Sequence, residues 1–178
     1  NAAHVIEDLF GRVDVIIDAG SCSVGVESTV LDTTSSPPVI LRPGGVTLEQ
    51  LEKVLGEVTL DPAILTERNG DFVPKAPGMK YKHYSPKGQV IIVEGALDNV
   101  VSKINELIGE YSSKGLRVGV MSTDQTSSGY QGAEVISLGN RKNASEIAAN
   151  LFKVLREFDE KKTEIILAES VSSSGIGL

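Results

Sequence analysis

A segment of basic and aromatic side chains, residues 76–87, joins two well-patterned parts of the chain. It reads APGMKYKHYSPK and sets Tyr81, His83 and Tyr84 among lysines. No acidic residue occurs from position 72 to position 93, although the whole chain has a formal net charge of −7. Aromatic rings can contact a base or ribose and ammonium groups attract phosphates, so the segment suits a nucleotide. The alternative is a solvated loop whose tyrosines pin it to a neighbouring surface.

Arg42 is a second candidate for binding an anion. It ends an apolar run just before Pro-Gly-Gly, and it is the only Arg or Lys between positions 12 and 53. A guanidinium at such a place can bind a phosphate through paired hydrogen bonds. Equally, it can offset the negative charge around it, because residues 1–57 contain nine acidic and three basic residues.

Residues 20–30, GSCSVGVESTV, are a third candidate because they combine a small-residue loop with the hydroxyls of Ser28 and Thr29. Hydroxyls and free backbone N–H groups in such a loop can bind a carboxylate or a phosphate. A Gly-Ser turn followed by an ordinary strand is the simpler interpretation. Cys22 is not identified as a nucleophile, because no histidine is recognisable as its partner.

The elements predicted for the first part of the chain form an α+β unit. Helical spacing of apolar residues predicts a helix over AAHVIEDLFG, and TLEQLEKVLG predicts another with a capping box formed by Thr47 and Gln50. The runs DVIIDAG, VESTVLD and PVILRPG predict three strands, and the last two are close enough for an antiparallel hairpin. Strands flanked by helices indicate a mostly antiparallel or mixed sheet.

A different pattern begins at Gln89. Four apolar strands, QVIIVEG, RVGVMST, AEVISLG and TEIILAES, alternate with two long amphipathic helices. This alternation predicts a parallel sheet covered on both faces. The stretch DQTSSGYQG offers no helix, so one crossover is predicted to be short or irregular. The final SSSGIGL is predicted to be a turn rather than a phosphate loop, since a short Gly-x-Gly is a weak signal.

Composition limits the classes of function. Forty per cent hydrophobic and 23% charged residues are typical of a globular protein. The acidic balance argues against direct, strong binding of nucleic acid. A single cysteine predicts a reducing compartment, and the lack of a signal peptide or long apolar run predicts a cytoplasmic protein without a membrane segment. No His, Cys and carboxylate cluster has metal-ligand spacing, so any Mg²⁺ is expected to arrive with phosphates.

Three motifs, in this order along the chain, resemble one family: GVESTVLD, ILRPGGVTLEQL and APGMKYKHYSP. The chain resembles the two-domain threonylcarbamoyl-AMP synthases, whose catalytic part is a YrdC-like domain. The resemblance implies an α/β protein with an α+β remnant of that catalytic domain, a long tether and a Rossmann-like parallel-sheet domain. Residues 1–57 correspond to the C-terminal part of the catalytic domain and 58–88 to a linker that reaches the active site. Residues 89–178 correspond to the C-terminal domain, truncated at its end.

The resemblance also implies a reaction and its site. L-Threonine, bicarbonate and ATP give threonylcarbamoyl-AMP and pyrophosphate, for the N6-threonylcarbamoyladenosine modification at tRNA position 37. Ser28 is implied to bind threonine, and Arg42 and Tyr81 to bind ATP, which brings Mg²⁺ with it. No residue is assigned a catalytic role.

Other tRNA-threonylcarbamoylation proteins are implied as partners, besides the small-molecule substrates. The N-terminal part of the catalytic domain has no counterpart in the sequence, so we expect a C-terminal fragment that is inactive alone. The alternative is a non-catalytic nucleotide-binding or regulatory α/β module.

Overall fold

The computed structural model describes residues 1–65, 85–172 and 174–177. Within these ranges the chain forms five α-helices, seven strands and two short 3₁₀ helices. The α-helices are α1 Ala2–Leu9, α2 Leu48–Leu55, α3 Pro62–Leu65, α4 Leu97–Ser113 and α5 Ala144–Glu160. The strands are β1 Val30–Asp32, β2 Val39–Arg42, β3 Thr59–Leu60, β4 Gln89–Val93, β5 Val118–Ser122, β6 Glu134–Ser137 and β7 Ile165–Glu169. The 3₁₀ helices are Ser127–Gly129 and Gly175–Gly177.

The first sheet has the order β1-β2-β3. β1 runs antiparallel to β2, and β3 runs parallel to it. The predicted hairpin and mixed sheet are therefore confirmed. The predicted helix α2 is confirmed as well, together with its capping box, because Thr47 Oγ1 accepts from the Gln50 N–H and Gln50 Oε1 accepts from the Thr47 N–H.

Two predictions for this part are wrong. Residues 14–20 form no strand, and their apolar side chains Val15 and Ile17 are 74% and 86% exposed. A strand persists only where a neighbour completes its ladder of backbone hydrogen bonds, and no strand of the described residues lies beside this segment. Residues 59–65 fall in the predicted linker 58–88, where regular structure is not expected, yet β3 pairs with β2 and α3 follows at once. The remainder of that predicted linker, 66–84, lies outside the described residues.

The second sheet is parallel throughout, in the order β4-β7-β5-β6. Helix α4 connects β4 to β5, and α5 connects β6 to β7. Only the 3₁₀ turn Ser127–Gly129 lies between β5 and β6, which confirms the short crossover. In the described part of residues 171–178, the glycine-rich end forms a single 3₁₀ turn, as predicted.

Each face of the parallel sheet has its own apolar core. Val100, Ile104 and Ile108 of α4 pack on one face, and Ile147, Val154 and Phe158 of α5 pack on the other. Phe158 is completely buried, and a Cβ at position 119 would lie only 2.4 Å from its ring. Glycine in β5 therefore lets the aromatic ring of α5 lie directly on the sheet. The predicted α/β architecture with both faces covered is confirmed.

Among the helices within the described ranges, none is long and apolar enough to cross a membrane.

Candidate functional site

Ser28 and Arg42, predicted as site residues from separate motifs, lie side by side. Arg42 is the last residue of β2, and its guanidinium donates to the carbonyl oxygen of Ser28 from Nε at 3.1 Å and from Nη2 at 2.8 Å. Nη2 also lies 3.1 Å from Ser28 Oγ. Two N–H groups of the planar guanidinium converge on one carbonyl oxygen, a fork that a lysine ammonium does not offer. Arg42 thus fixes the position of both the backbone carbonyl and the hydroxyl of Ser28.

The glycines that follow Arg42 allow this arrangement. The Gly45 N–H donates to the Glu27 carbonyl oxygen at 2.9 Å, and the Val46 N–H donates to Thr29 Oγ1 at 3.1 Å. A Cβ at Gly44 would lie 2.3 Å from the Glu27 carbonyl oxygen, which is closer than any side chain tolerates. The Pro-Gly-Gly sequence therefore brings two backbone segments into direct contact beneath Ser28.

Exposure makes this pair accessible to a ligand. Ser28 is exposed and Arg42 is half-buried. An exposed hydroxyl beside a guanidinium suits a carboxylate or a phosphate, because both anions accept charge-assisted hydrogen bonds. Tyr81, the third predicted site residue, lies outside the described residues.

A cleft borders the segment that leads to Ser28. An open cavity of about 850 Å³ lies between α1, residues 25–27, residues 85–87 and α5. A second cavity of about 690 Å³ lies between residues 21–26 and α5, and the exposed Cys22 is part of its wall. Both cavities are lined by residues of the first part of the chain and by residues of α5. The loop before Ser28 therefore lies at the boundary between the first part and the parallel-sheet part.

A buried polar cluster at the carboxyl edge of the parallel sheet was missed by the sequence analysis. The Glu169 side chain, only 1% exposed, ends β7 and pairs with Arg141 at 2.7 Å. Its carboxylate also accepts from the hydroxyls of Thr123 at 3.1 Å and Tyr130 at 2.7 Å, and from Thr126. Parallel α/β sheets commonly bind ligands at this edge. Here both carboxylate oxygens bond to side chains of the same sheet and its loops, so the cluster ties those loops together.

Tyr130 makes the stability of this cluster depend on pH. Burial, followed by the hydrogen bond to Glu169 and its negative charge, raises the pKa of the Tyr130 hydroxyl well above its usual range. A tyrosine whose pKa is raised in the folded state contributes stability below its unfolded pKa of about 10 and loses it as the pH rises further. We expect the gap in unfolding free energy between wild type and Tyr130→Phe to shrink by about 1 kcal/mol from pH 9 to pH 11.

Urea unfolding of both proteins across that pH range measures the gap. Comparing the two proteins cancels the titration of the lysines, which they share. A gap that stays constant would contradict the raised pKa.

Comparison with known proteins decides the family. The family model described as "Threonylcarbamoyl-AMP synthase, C-terminal domain" matches residues 46–178. The chain belongs to the threonylcarbamoyl-AMP synthase family. A second model, described as "Telomere recombination", matches residues 1–44. The two models meet near residue 45, and the predicted domain boundaries at 57 and 88 stay a prediction.

Relatives in this family resemble the chain over its whole length. It is 48% identical to threonylcarbamoyl-AMP synthase of Pyrococcus abyssi over 178 residues, which is all of this chain and 50% of that protein. It is 44% identical to the Bacillus subtilis protein of the same name, over 99% of this chain and 49% of that protein. The chain thus spans about half the length of the curated relatives it matches.

A solved structure agrees with the fold. The crystal structure of P. abyssi Sua5 complexed with L-threonine superposes with a TM-score of 0.87 at 47% identity. The superposition covers 99% of this chain and 49% of that one. Both sheets of this chain therefore fall within the fold of that family member.

Proposed function

We propose that this chain is part of an enzyme that makes threonylcarbamoyl-AMP and pyrophosphate from L-threonine, bicarbonate and ATP. The observation that carries the proposal is the direct pairing of Ser28 with Arg42 in a chain of this family. The Ser28 hydroxyl suits an amino acid and the Arg42 guanidinium suits phosphates, and these two groups are hydrogen-bonded to each other. The complex of P. abyssi Sua5 with L-threonine supports the choice of amino acid.

The reaction needs positioning and charge stabilisation rather than a covalent enzyme intermediate. The threonine amine captures CO₂ or bicarbonate to give a carbamate, and water leaves in the bicarbonate case. A carbamate oxygen then attacks the α-phosphorus of ATP, the bond to the bridging oxygen breaks, and pyrophosphate departs. Catalysis of this kind depends on aligning the reactants and stabilising the negative charge on the phosphates.

Each site residue has a role in this proposal. Ser28 binds threonine, and Arg42 both orients Ser28 and contacts ATP. Tyr81 contacts ATP from the tether, whose lysines add positive charge near the phosphates. Mg²⁺ enters with ATP, because it binds phosphate oxygens and keeps several waters. A tether across the site would also protect the carbamate and the adenylate from water.

The wider setting is part of the same proposal. The adenylate would supply the N6-threonylcarbamoyladenosine modification at tRNA position 37, in the cytoplasm, where other tRNA-threonylcarbamoylation proteins would consume it. The net charge of −7 fits a protein that leaves tRNA binding to such partners.

Pyrophosphate release tests the reaction in a full-length protein that carries this sequence. ATP and Mg²⁺ are supplied, and threonine and bicarbonate are added and omitted in turn. Release that requires both substrates is the expected result. Release independent of threonine, or none from a folded protein, would overturn the proposal and favour a nucleotide-binding module without catalysis.

Tyr81→Ala is expected to lower kcat/KM for ATP at least tenfold, or about 1.4 kcal/mol of transition-state stabilisation. The loss arises because the ring no longer contacts the nucleotide, while the fold stays intact by circular dichroism. Tyr81→Phe is the matched control, since it keeps the ring and removes only the hydroxyl. Unchanged kinetics in Tyr81→Ala would rule out a role for the tether in binding ATP.

A further inference from the structure

Helix α5 contacts α1, the backbone at Lys87 and the loop at Gly25, which all lie outside its own sheet. Arg156 pairs with Glu7 and Asp8 of α1. Asp159, three residues further on, accepts a hydrogen bond from the backbone of Lys87. About two turns before Arg156, the backbone of α5 at positions 148–149 lies against Gly25. These contacts define what we call the α5 platform: Ala148, Ala149, Arg156 and Asp159.

Arg156 binds α1 through both of its terminal nitrogens. Nη1 lies 2.7 Å from Glu7 Oε2, and Nη2 lies 2.6 Å from Asp8 Oδ2. The Arg156 side chain is 22% exposed, whereas those of Glu7 and Asp8 are 67% and 48% exposed, so water screens the carboxylate side of both pairs. A two-pronged contact of this kind fixes direction as well as distance.

Gly25 brings the loop before Ser28 onto the same helix. Its φ of +75° is a conformation that side chains disfavour. A Cβ there would lie 2.4 Å from the Ala149 Cα and 2.8 Å from the Ala148 carbonyl oxygen. Both atoms belong to the helix backbone and cannot give way. Residues 20–28, which we call the site loop, are therefore seated on α5 at a point where only glycine fits.

Asp159 holds the end of the tether. Its Oδ1 accepts from the Lys87 N–H at 2.7 Å, a distance typical of a charge-assisted hydrogen bond. Lys87 is two residues before β4 and is the last residue of the segment 76–87, which contains Tyr81. The platform thus contacts the site loop, which leads to Ser28, and the tether, which leads back to Tyr81.

We propose that the α5 platform is a positioning device. It fixes the position of the site loop relative to the end of the tether, so that threonine and ATP are aligned for reaction. This inference rests on the proposed function. It assigns the parallel-sheet domain a part in the reaction without a ligand of its own. Gly25, Arg156 and Asp159 are its positioning residues, and none of them touches substrate.

Gly25→Ala and Gly115→Ala in a full-length protein that carries this sequence give a matched pair. Both glycines have positive φ, at +75° and +79°, so both substitutions carry backbone strain. Only Gly25→Ala meets helix α5, because a Cβ at Gly115, between α4 and β5, finds nothing within 4 Å. We expect kcat/KM for threonine to fall at least tenfold in Gly25→Ala and to stay within threefold in Gly115→Ala. Equal losses in the two variants would overturn the proposal.

Asp159 provides the second pair. Asp159→Ala removes the acceptor for the Lys87 N–H, whereas Asp159→Asn keeps an oxygen at the same place. We expect the KM for ATP to rise at least fivefold in Asp159→Ala and to be restored within twofold in Asp159→Asn. A rise that is equal in both variants would show that the charge of Asp159, rather than the held backbone, matters, and would overturn the positioning role.

Hydrogen exchange separates this proposal from the proposed function. We expect faster exchange in residues 20–28 for Gly25→Ala and in residues 85–88 for Asp159→Ala, with α4 unchanged in both. If wild type releases no threonine-dependent pyrophosphate, the proposed function fails while exchange still reports whether the platform holds these segments. Unchanged exchange in both variants would overturn the platform itself. If exchange changes but the kinetic constants stay at their wild-type values, the platform is only a contact between domains, and its role in positioning is overturned.

Discussion

Glu169→Ala is expected to lower the free energy of unfolding by about 3–5 kcal/mol, the cost of removing one partner from a buried ion pair. The substitution leaves the Arg141 guanidinium without its carboxylate partner. It also takes the acceptor from three hydroxyls, those of Thr123, Thr126 and Tyr130. Arg141 is 25% exposed and can recruit some water, which places the expected loss toward the lower end of that range.

The size of this effect comes from the position of Glu169. Its side chain is 1% exposed and lies in β7, the strand between β4 and β5. Buried polar groups that lose their partners keep the cost of having been taken out of water, so the loss exceeds the value of the bonds themselves. The β5–β6 connection contains all three hydroxyls, and we expect it to loosen first.

Glu134→Ala is the matched control. Glu134 is also a strand residue paired with a base, Lys161, at 3.0 Å, but its side chain is 49% exposed. An exposed pair of this kind contributes about 0–1 kcal/mol. Urea unfolding followed by circular dichroism compares the variants. A loss for Glu169→Ala no larger than that for Glu134→Ala would contradict the structural role assigned to the cluster.

Local sequence patterns predicted the parallel-sheet domain nearly completely. Apolar strands, amphipathic helices and the cap at Asn143, whose side chain accepts from the Glu146 N–H at 3.2 Å, all act within a few residues. The failures involve partners distant in sequence. DVIIDAG has the composition of a strand, but no described strand pairs with it. Thr59 and Leu60 are too few to stand out, and only β2 makes them a strand.

The candidate site shows the same difference between features that have a local sequence signal and contacts between residues distant in sequence. Residue types singled out Ser28 and Arg42, and the alternatives for Arg42 were a phosphate or the surrounding acids. A backbone carbonyl 14 residues away was not among them, because a contact between two turns leaves no local signal. Glu169 could have been noticed as an acid at the end of an otherwise apolar strand, but its partners come from separate loops that only the fold brings together.

Arg42→Ala is expected to lower kcat/KM for threonine at least 100-fold in a full-length protein that carries this sequence. This prediction rests on the proposed function. The substitution removes the bonds that hold the carbonyl oxygen and hydroxyl of Ser28. A reacting group displaced by about 1 Å can cost a factor of about 100 in rate, or about 2.7 kcal/mol. Because Arg42 is also proposed to contact ATP, the KM for ATP should rise in parallel.

Arg42→Lys separates the two roles of this residue. Lysine keeps the positive charge that attracts phosphates, but its single ammonium cannot reproduce the fork that binds the Ser28 backbone. If holding Ser28 dominates, the lysine variant should lose nearly as much kcat/KM for threonine as the alanine variant while its KM for ATP recovers. Lys53→Ala, which removes an exposed charge from α2, should leave both constants unchanged. Full activity in Arg42→Lys would show that Arg42 acts through its charge alone. Kinetic constants within twofold of wild type in Arg42→Ala would show that Arg42 is not part of the site.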